Sequence, residues 1–237
     1  MWGQGLPTHL ILDGPPAVEV VLKQSARAKR LSLRVSGLDG RVSLTLPRGV
    51  RLREAEAFLR EKESWLRKAL ARNPEMVAVT IGQEILFQGL ARRLEPAPVR
   101  AVRLEPKALL VPHNAPDKTA TRVQAFLKLH ARQSLQMATD HYAEKLGLPY
   151  GRMTLRDTRS RWGSCSAEGN LNYSWRLIMA PPEVLRYVAA HEVAHLAEMN
   201  HSPAFWNVVT RLYGPYQAER GWLRSHGAQL HRYRFGD

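Results

Sequence analysis

The segment HEVAHLAEMNH, at residues 191–201, combines residue types and spacings that can bind a metal ion and support hydrolysis. His191 and His195 are four residues apart, so on a helix their imidazoles project from adjacent turns of one face and can share one metal ion. Glu192 is rotated by about 100 degrees from His191 around such a helix, which places a carboxylate beside the metal without making it a ligand. The pattern predicts a metal-dependent hydrolase in which Glu192 is the catalytic base.

A third metal ligand is expected, because a catalytic zinc site usually has three protein ligands and keeps one position open for water. His201 is the predicted third ligand. It lies too far beyond His195 to share its helical face, so the helix must end and the chain must turn back. Met199-Asn200 can make that turn, since Asn tolerates left-handed backbone conformations. Glu198 and Glu219 are alternative third ligands, because a downstream glutamate has this role in other zinc hydrolases.

The chemistry expected of this set is attack by an activated water. Zinc would lower the pKa of its bound water towards about 7, and Glu192 would take the proton before attack on a carbonyl or phosphoryl centre. The sequence leaves the electrophile open. A peptidase is one hypothesis, and a metal-dependent nucleotide or phosphoanhydride hydrolase is an alternative, motivated by arginines at positions 156, 159 and 161. Imidazole ligands favour Zn²⁺, although they also suit nickel, cobalt and copper.

The group that would stabilise the oxyanion of the reaction is not identified by the sequence. Four side chains near the motif are candidates for this role: Tyr187, Tyr213, Tyr216 and His226.

Composition excludes some kinds of site. Cys165 is the only cysteine, which rules out an internal disulfide and a thiolate-rich metal cage and suits a reducing cytoplasm. The net charge of +14 and the pI near 10.5 favour binding of polyanions. A nucleic-acid-associated protein is therefore a third hypothesis. The cations are scattered along the chain, however, and scattered charge is typical of a solvated surface.

The chain has no feature of an exported or membrane protein. No stretch is long and apolar enough to span a bilayer, and the first twelve residues lack the basic and apolar regions of a secretory signal. We therefore expect a cytoplasmic protein with no membrane partner. A length of 237 residues with 44% hydrophobic content allows one sizeable core or two small ones.

The beginning of the chain is expected to be rich in β-hairpins. Apolar and polar residues alternate in three segments, which are predicted strands: 18–23, 31–35 and 42–46. Leu38-Asp39-Gly40 supplies a turn between the last two. Apolar residues then recur at intervals of three and four over 52–70, which predicts one amphipathic helix that Asn73-Pro74 ends.

A possible division of the chain follows these elements. Short apolar runs over 77–111, separated by Gly and Pro, predict short antiparallel strands. The connector at 112–117 is the plausible boundary. It would separate a β-rich N-terminal region with one helix, 1–112, from a metal-binding catalytic region, 113–237; the alternative is one continuous domain.

The predicted catalytic region alternates helices and strands. A long helix is predicted over 118–146, with Gly147 in position to cap it. One strand is predicted on each side of the segment RWGSCSAEG: 153–157 before it and 170–176 after it. Pro182 is a favourable first residue for the helix that carries the motif, and Ser202-Pro203 is a favourable start for the next.

Three segments resemble the YgjP-like metallopeptidase domain proteins: TRSRWGSCS at 158–166, the following LNYSWRLIMAPP, and YVAAHEVAHLAEMNHSPAFW ending at residue 206. The resemblance implies an α+β fold, with a zincin-like catalytic helix packed on a small antiparallel sheet after a hairpin-rich N-terminal region. It also implies zinc held by His191, His195 and His201, with Glu192 as the base. The peptidase hypothesis is therefore favoured.

The segment RWGSCS suggests where a substrate would lie. An edge strand beside the catalytic helix can bind an extended peptide by strand addition. Arg161 and Arg159 in the same region can instead bind phosphates bidentately. Arg161 is the predicted substrate-binding residue.

Overall fold

A computed structural model describes residues 7–36, 40–71 and 76–236. The chain forms two compact units, Met1–Glu75 and Met76–Asp237. This division lies earlier in the chain than the connector at 112–117. The strand before that connector buries Leu109 and Val111 in the same core as the long helix after it, so the connector joins elements of one unit.

The N-terminal unit contains a four-stranded sheet and two helices. Its strands are β1 (His9–Leu12), β2 (Val18–Gln24), β3 (Ser32–Val35) and β4 (Val42–Leu46). They lie in the order β1-β2-β4-β3; the outer pairs are antiparallel and the central pair β2–β4 is parallel. The three strands predicted here are confirmed. Alternate residues of β2 and β4, among them Val20 and Leu44, are fully buried as the pattern required.

The helix predicted over 52–70 is divided into α1 (Leu52–Glu61) and α2 (Glu63–Ala71). Lys62 lies between them with φ −92° and ψ 3°, outside helical geometry. Leu59 and Leu66 on either side of the break are both buried in the core of this unit, so the apolar spacing persists across it. Leu38 and Asp39 of the predicted turn, and the predicted helix stop Asn73-Pro74, lie outside the described residues.

The C-terminal unit begins with a sheet of the same connectivity. Its first strands are β5 (Val77–Ala78), β6 (Glu84–Phe87), β7 (Leu90–Ala97), β8 (Arg103–Leu104) and β9 (Ala108–Pro112). Four of them form a sheet in the order β6-β7-β9-β8. The prediction of antiparallel strands is confirmed for both outer pairs and is wrong for β7–β9, which is parallel. The hairpin of β8 and β9 reverses the chain, so β9 runs in the direction of β7.

The long helix and a small second sheet follow. Helix α3 (Thr119–Leu146) ends at Gly147, whose φ of 77° is the left-handed conformation that glycine adopts readily, as predicted. Strands β10 (Met153–Arg156), β11 (Gly163–Cys165) and β12 (Leu171–Ser174) form a sheet in the order β10-β12-β11. This sheet is mixed rather than antiparallel, because β10 pairs with β12 in parallel. Strand β11 is at its edge.

The remaining helices complete the unit: α4 (Pro182–Ala194), α5 (Pro203–Tyr213) and α6 (Gln217–His226). Helix α4 is central, since it packs against α3, α5, α6 and β11. Its apolar side, including Ala189 and Val193, is fully buried. Near the end of the chain β13 (Tyr233–Arg234) pairs in parallel with β5. The described residues thus form a mixed α+β structure, and no helix among them combines the length and apolar character needed to cross a membrane.

Candidate metal centre

Three imidazoles converge at the C-terminal end of α4. His191 lies in the last turn of the helix and His195 is its C-cap residue, with φ −65° and ψ −17°. The chain then reverses and brings His201 back, so that its Nε2 is 3.1 Å from Nε2 of His191. The potential ligand atoms of the three residues all lie within 4.8 Å of one another. Among the described residues, this group contains neither Glu198 nor Glu219, the alternative third ligands.

The turn that returns His201 is held by side-chain and backbone hydrogen bonds. Nδ1 of His195 donates to the carbonyl oxygen of Glu198 at 2.9 Å, which leaves Nε2 with its lone pair directed away from this bond. The side-chain oxygen of Asn200 accepts from the backbone N–H of Ser202 at 3.0 Å. Asn200 is not in the left-handed conformation that the sequence suggested, so its side chain, rather than its φ angle, shapes the turn.

The next helix begins directly after this reversal. The hydroxyl of Ser202 accepts from the backbone N–H of Phe205 at 3.4 Å and caps α5, as predicted. Phe205 is fully buried and stacks on His195, with ring centroids 4.4 Å apart. The aromatic packing of α5 therefore fixes the imidazoles from the side opposite to their open face.

Burial keeps the histidines of α4 uncharged. Desolvation, followed by the repulsion of His195, His201 and Arg220, lowers the pKa of His191 to about 3. Desolvation also lowers the pKa of His195. A neutral imidazole has a nitrogen lone pair, which is the form that binds metals. Two neutral, convergent nitrogens with a third beside them fit a divalent transition metal ion such as zinc.

Glu192 lies next to this group with its carboxylate against β11. The residue is 5% exposed, and desolvation raises the pKa of its carboxyl to about 8, with the charge of Arg161 opposing the rise. A Cβ atom at Gly163 would lie 2.5 Å from both Cγ and Oε1 of Glu192. The absence of a side chain at this position in β11 is therefore what lets the carboxylate lie here.

A cavity of about 420 Å³ opens over the histidines and Glu192; we call it the histidine cavity. Residues 161–165 form one wall, and Tyr187 and Val188 of α4 contribute to it as well. Arg161 is exposed at this wall, whereas Arg156 and Arg159 do not line it. Sequence reasoning missed Gly163. A glycine inside a strand next to the motif was the available signal, because it marks a close approach of other atoms.

A model of the family "YgjP-like, metallopeptidase domain" matches residues 29–226, nearly the whole chain. The chain belongs to the YgjP-like family. The family name implies a metal ion in this YgjP-like protein, and the three histidines are the described group that fits one. It also suggests a peptide substrate, whereas nothing in the match supports a nucleotide or polyanion partner.

No curated protein matches the YgjP-like chain. One solved structure, "Crystal structure of the metallopeptidase zymogen of Pyrococcus abyssi abylysin", is similar over 38% of this chain and 94% of that chain, with 20% sequence identity and a TM-score of 0.34.

Proposed function

We propose that this protein is a zinc-dependent metallopeptidase with a zincin-like arrangement of α4 and β11. His191, His195 and His201 hold the zinc ion, and Glu192 is the catalytic base. The observation that carries the proposal is the convergence of three imidazoles and one buried carboxylate in a single open cavity. The family match supports it independently.

Each side chain has a separate task. Zinc, when bound, supplies a Lewis acid that polarises the scissile carbonyl and acidifies a water molecule. Glu192 is placed to accept a proton from the attacking water and to return it to the leaving amine. A base is most effective when its pKa is near the working pH, and burial has moved Glu192 in that direction. The bond from His195 to the Glu198 carbonyl fixes which nitrogen can bind the metal.

The free edge of β11 is where an extended peptide can bind. The backbone N–H of Ser174 donates to the carbonyl of Trp162, and that of Ser166 donates to the carbonyl of Asn170. In an antiparallel pair the residues alternate between bonding to the partner and facing outward. Gly163 and Cys165 of β11 therefore direct their backbone groups to the open edge. A substrate strand paired there would pass directly beside Glu192.

Arg161 gives the substrate site a preference. Its exposed guanidinium forms no hydrogen bond or ion pair with another described residue, and its charge acts on Glu192 inside the cavity. We assign it to binding a carboxylate of the peptide, for which the planar guanidinium is well suited. Arg156 and Arg159 do not line the cavity. Of the three arginines that motivated a phosphoanhydride hydrolase, only Arg161 therefore lies at the site.

The test is a competition between substrate classes. Zinc-loaded protein, its Glu192→Gln variant and a Glu183→Gln variant are each incubated with one pool of unstructured peptides and nucleoside triphosphates, and the products are read by mass spectrometry. Glu183 is exposed in the first turn of the same helix and serves as the matched control. We expect cleaved peptides from the parent and from Glu183→Gln, and none from Glu192→Gln. Glu192-dependent release of pyrophosphate or monophosphate without peptide cleavage would overturn the peptidase.

A further inference from the structure

Peptide hydrolysis needs a hydrogen-bond donor for the carbonyl oxygen, which becomes negatively charged as water adds. Of the four side chains near the motif that could donate, the structure places only Tyr187 in the wall of the histidine cavity. The hydroxyl of Tyr213 is already used, since it donates to the carbonyl of Glu183 at 3.0 Å. His226 stacks on Trp222 away from the cavity, with ring centroids 5.3 Å apart. We propose that the hydroxyl of Tyr187 is the oxyanion donor, an inference that rests on the proposed function.

The position of Tyr187 on the helix directs it to the reaction site. Tyr187, His191 and His195 are spaced by four residues, so they form one stripe along α4. The ring centroid of Tyr187 is 6.0 Å from that of His191. A substrate carbonyl held beside the imidazoles is therefore within one helical turn of this phenol.

The hydroxyl of Tyr187 is available to a ligand. The residue is only 4% exposed, yet its hydroxyl makes no hydrogen bond to another described residue. This oxygen is not fully buried either, so it retains access to solvent at the cavity. A buried tyrosine usually finds a partner for its hydroxyl. Here the partner is supplied by the substrate.

Tyr187 is also held rigidly. Its ring stacks on Tyr216 at a centroid distance of 5.7 Å and an interplanar angle of 8°, and meets the ring of Tyr213 edge-on at 5.9 Å. Tyr216 in turn stacks on Trp206, 5.0 Å away. A donor fixed in this way needs no reorganisation when charge develops on the substrate, which is the condition for strong stabilisation of a transition state.

The test compares Tyr187→Phe with Tyr213→Phe, since each change removes one hydroxyl and keeps the ring. We expect Tyr187→Phe to lower kcat by about 100-fold, as loss of one oxyanion donor does, with KM changed less than about threefold. Tyr213→Phe should keep kcat within about threefold of the parent. Zinc content should be unchanged in both variants.

A second readout does not depend on turnover. A phosphinic analogue of an Ala-Ala peptide mimics the tetrahedral oxyanion, and its affinity, measured by calorimetry, should fall by about tenfold or more in Tyr187→Phe. Binding of acetohydroxamate, a small zinc chelator, should be unaffected. Parent-like kcat and parent-like phosphinate affinity in Tyr187→Phe would overturn the inference while leaving the peptidase intact.

The two proposals can fail separately. If the parent cleaves no peptide but its phosphinate affinity falls in Tyr187→Phe, the peptidase proposal fails, and what remains is that the Tyr187 hydroxyl donates to a tetrahedral anion in this cavity. If the zinc-loaded parent does not bind the phosphinate, kcat decides, and a parent-like kcat in Tyr187→Phe overturns the donor role.

Discussion

Helix α4 borders two cavities that differ in chemistry more than in size. The histidine cavity, about 420 Å³, meets its C-terminal half, whereas a second cavity of about 300 Å³ meets its first turns at Pro182, Leu185 and Arg186. The other wall of the second cavity, which we call the apolar cavity, comes mainly from α3 and includes His141. Shape and apolar lining alone would favour the apolar cavity as a ligand site.

The difference shows that a candidate metal site is defined by the convergence of potential ligand atoms rather than by the presence of a cavity. Among the described residues, His141 belongs to no group of three potential ligands. His191 belongs to one, because a second ligand comes from the next turn of its helix and a third from a chain reversal. Matched substitutions in the two cavities test this contrast.

The largest effect is expected from removing one histidine in each cavity. His191→Ala should lower zinc affinity by more than about 100-fold and abolish peptide cleavage, because the site would keep two ligands. His141→Ala should retain zinc and activity. Metal content after dialysis and initial rates of cleavage provide the measurement, and equal zinc loss in both variants would contradict the assignment.

The second effect concerns the fit of β11 against Glu192. Gly163→Ala would place a Cβ atom 2.5 Å from Cγ and Oε1 of Glu192, so the carboxylate must move. We expect kcat to fall by about 10- to 100-fold, the usual cost of displacing a catalytic group by about 1 Å, with zinc retained. Gly221→Ala in α6 is the control, since a Cβ there meets nothing within 4 Å. A parent-like kcat in Gly163→Ala would show that catalysis does not depend on the close approach of Glu192 to residue 163.

A smaller effect is expected from reversing one charge in each cavity. Arg161→Glu should shift the preference between acidic and basic peptides by about tenfold in kcat/KM towards basic ones, because the carboxylate partner is lost and repulsion is added. Arg186→Glu, in the apolar cavity, should leave the preference unchanged. Peptide pools that differ only in Glu or Lys measure this. An unchanged preference in Arg161→Glu would show that Arg161 does not bind the substrate.

A last prediction, which does not involve turnover, concerns the stability of the metal-free protein. The pKa of Glu192 is raised to about 8 in the folded state, from about 4.3 in an unfolded chain. Between these values the folded state holds the proton more tightly, so the free energy of unfolding falls as pH rises. Glu192→Gln removes this loss and should be more stable than the parent by on the order of a few kcal/mol above about pH 8, with no gain near pH 4.

Chemical denaturation across this pH range, with a chelator present, measures the difference. Glu183→Gln, a change of the same type at an exposed position of the same helix, is the control. A constant difference between Glu192→Gln and the parent from acid to alkaline pH would contradict the raised pKa.

The sequence was sufficient to predict those features of the fold that depend on interactions between neighbouring residues. Proline at the start of α4, glycine after α3 and serine before α5 act within one turn of chain, and the structure has all three helices where these residues predict them. The spacing of His191, Glu192 and His195 fixes their relative directions on any helix. Strand alternation in the N-terminal unit likewise needs only neighbouring residues.

Only the tertiary structure decided the features that depend on residues distant in sequence. The direction in which strands pair, parallel for β7–β9 and β10–β12, follows from how the hairpins meet and leaves no local signature. The approach of Gly163 to Glu192 joins a strand edge to a helix 29 positions later in the chain. Which tyrosine reaches the histidine cavity depends on how α5 and α6 pack around α4. The sequence contains several tyrosines near the motif, and only tertiary contacts determine which hydroxyl is bonded elsewhere and which lines the cavity.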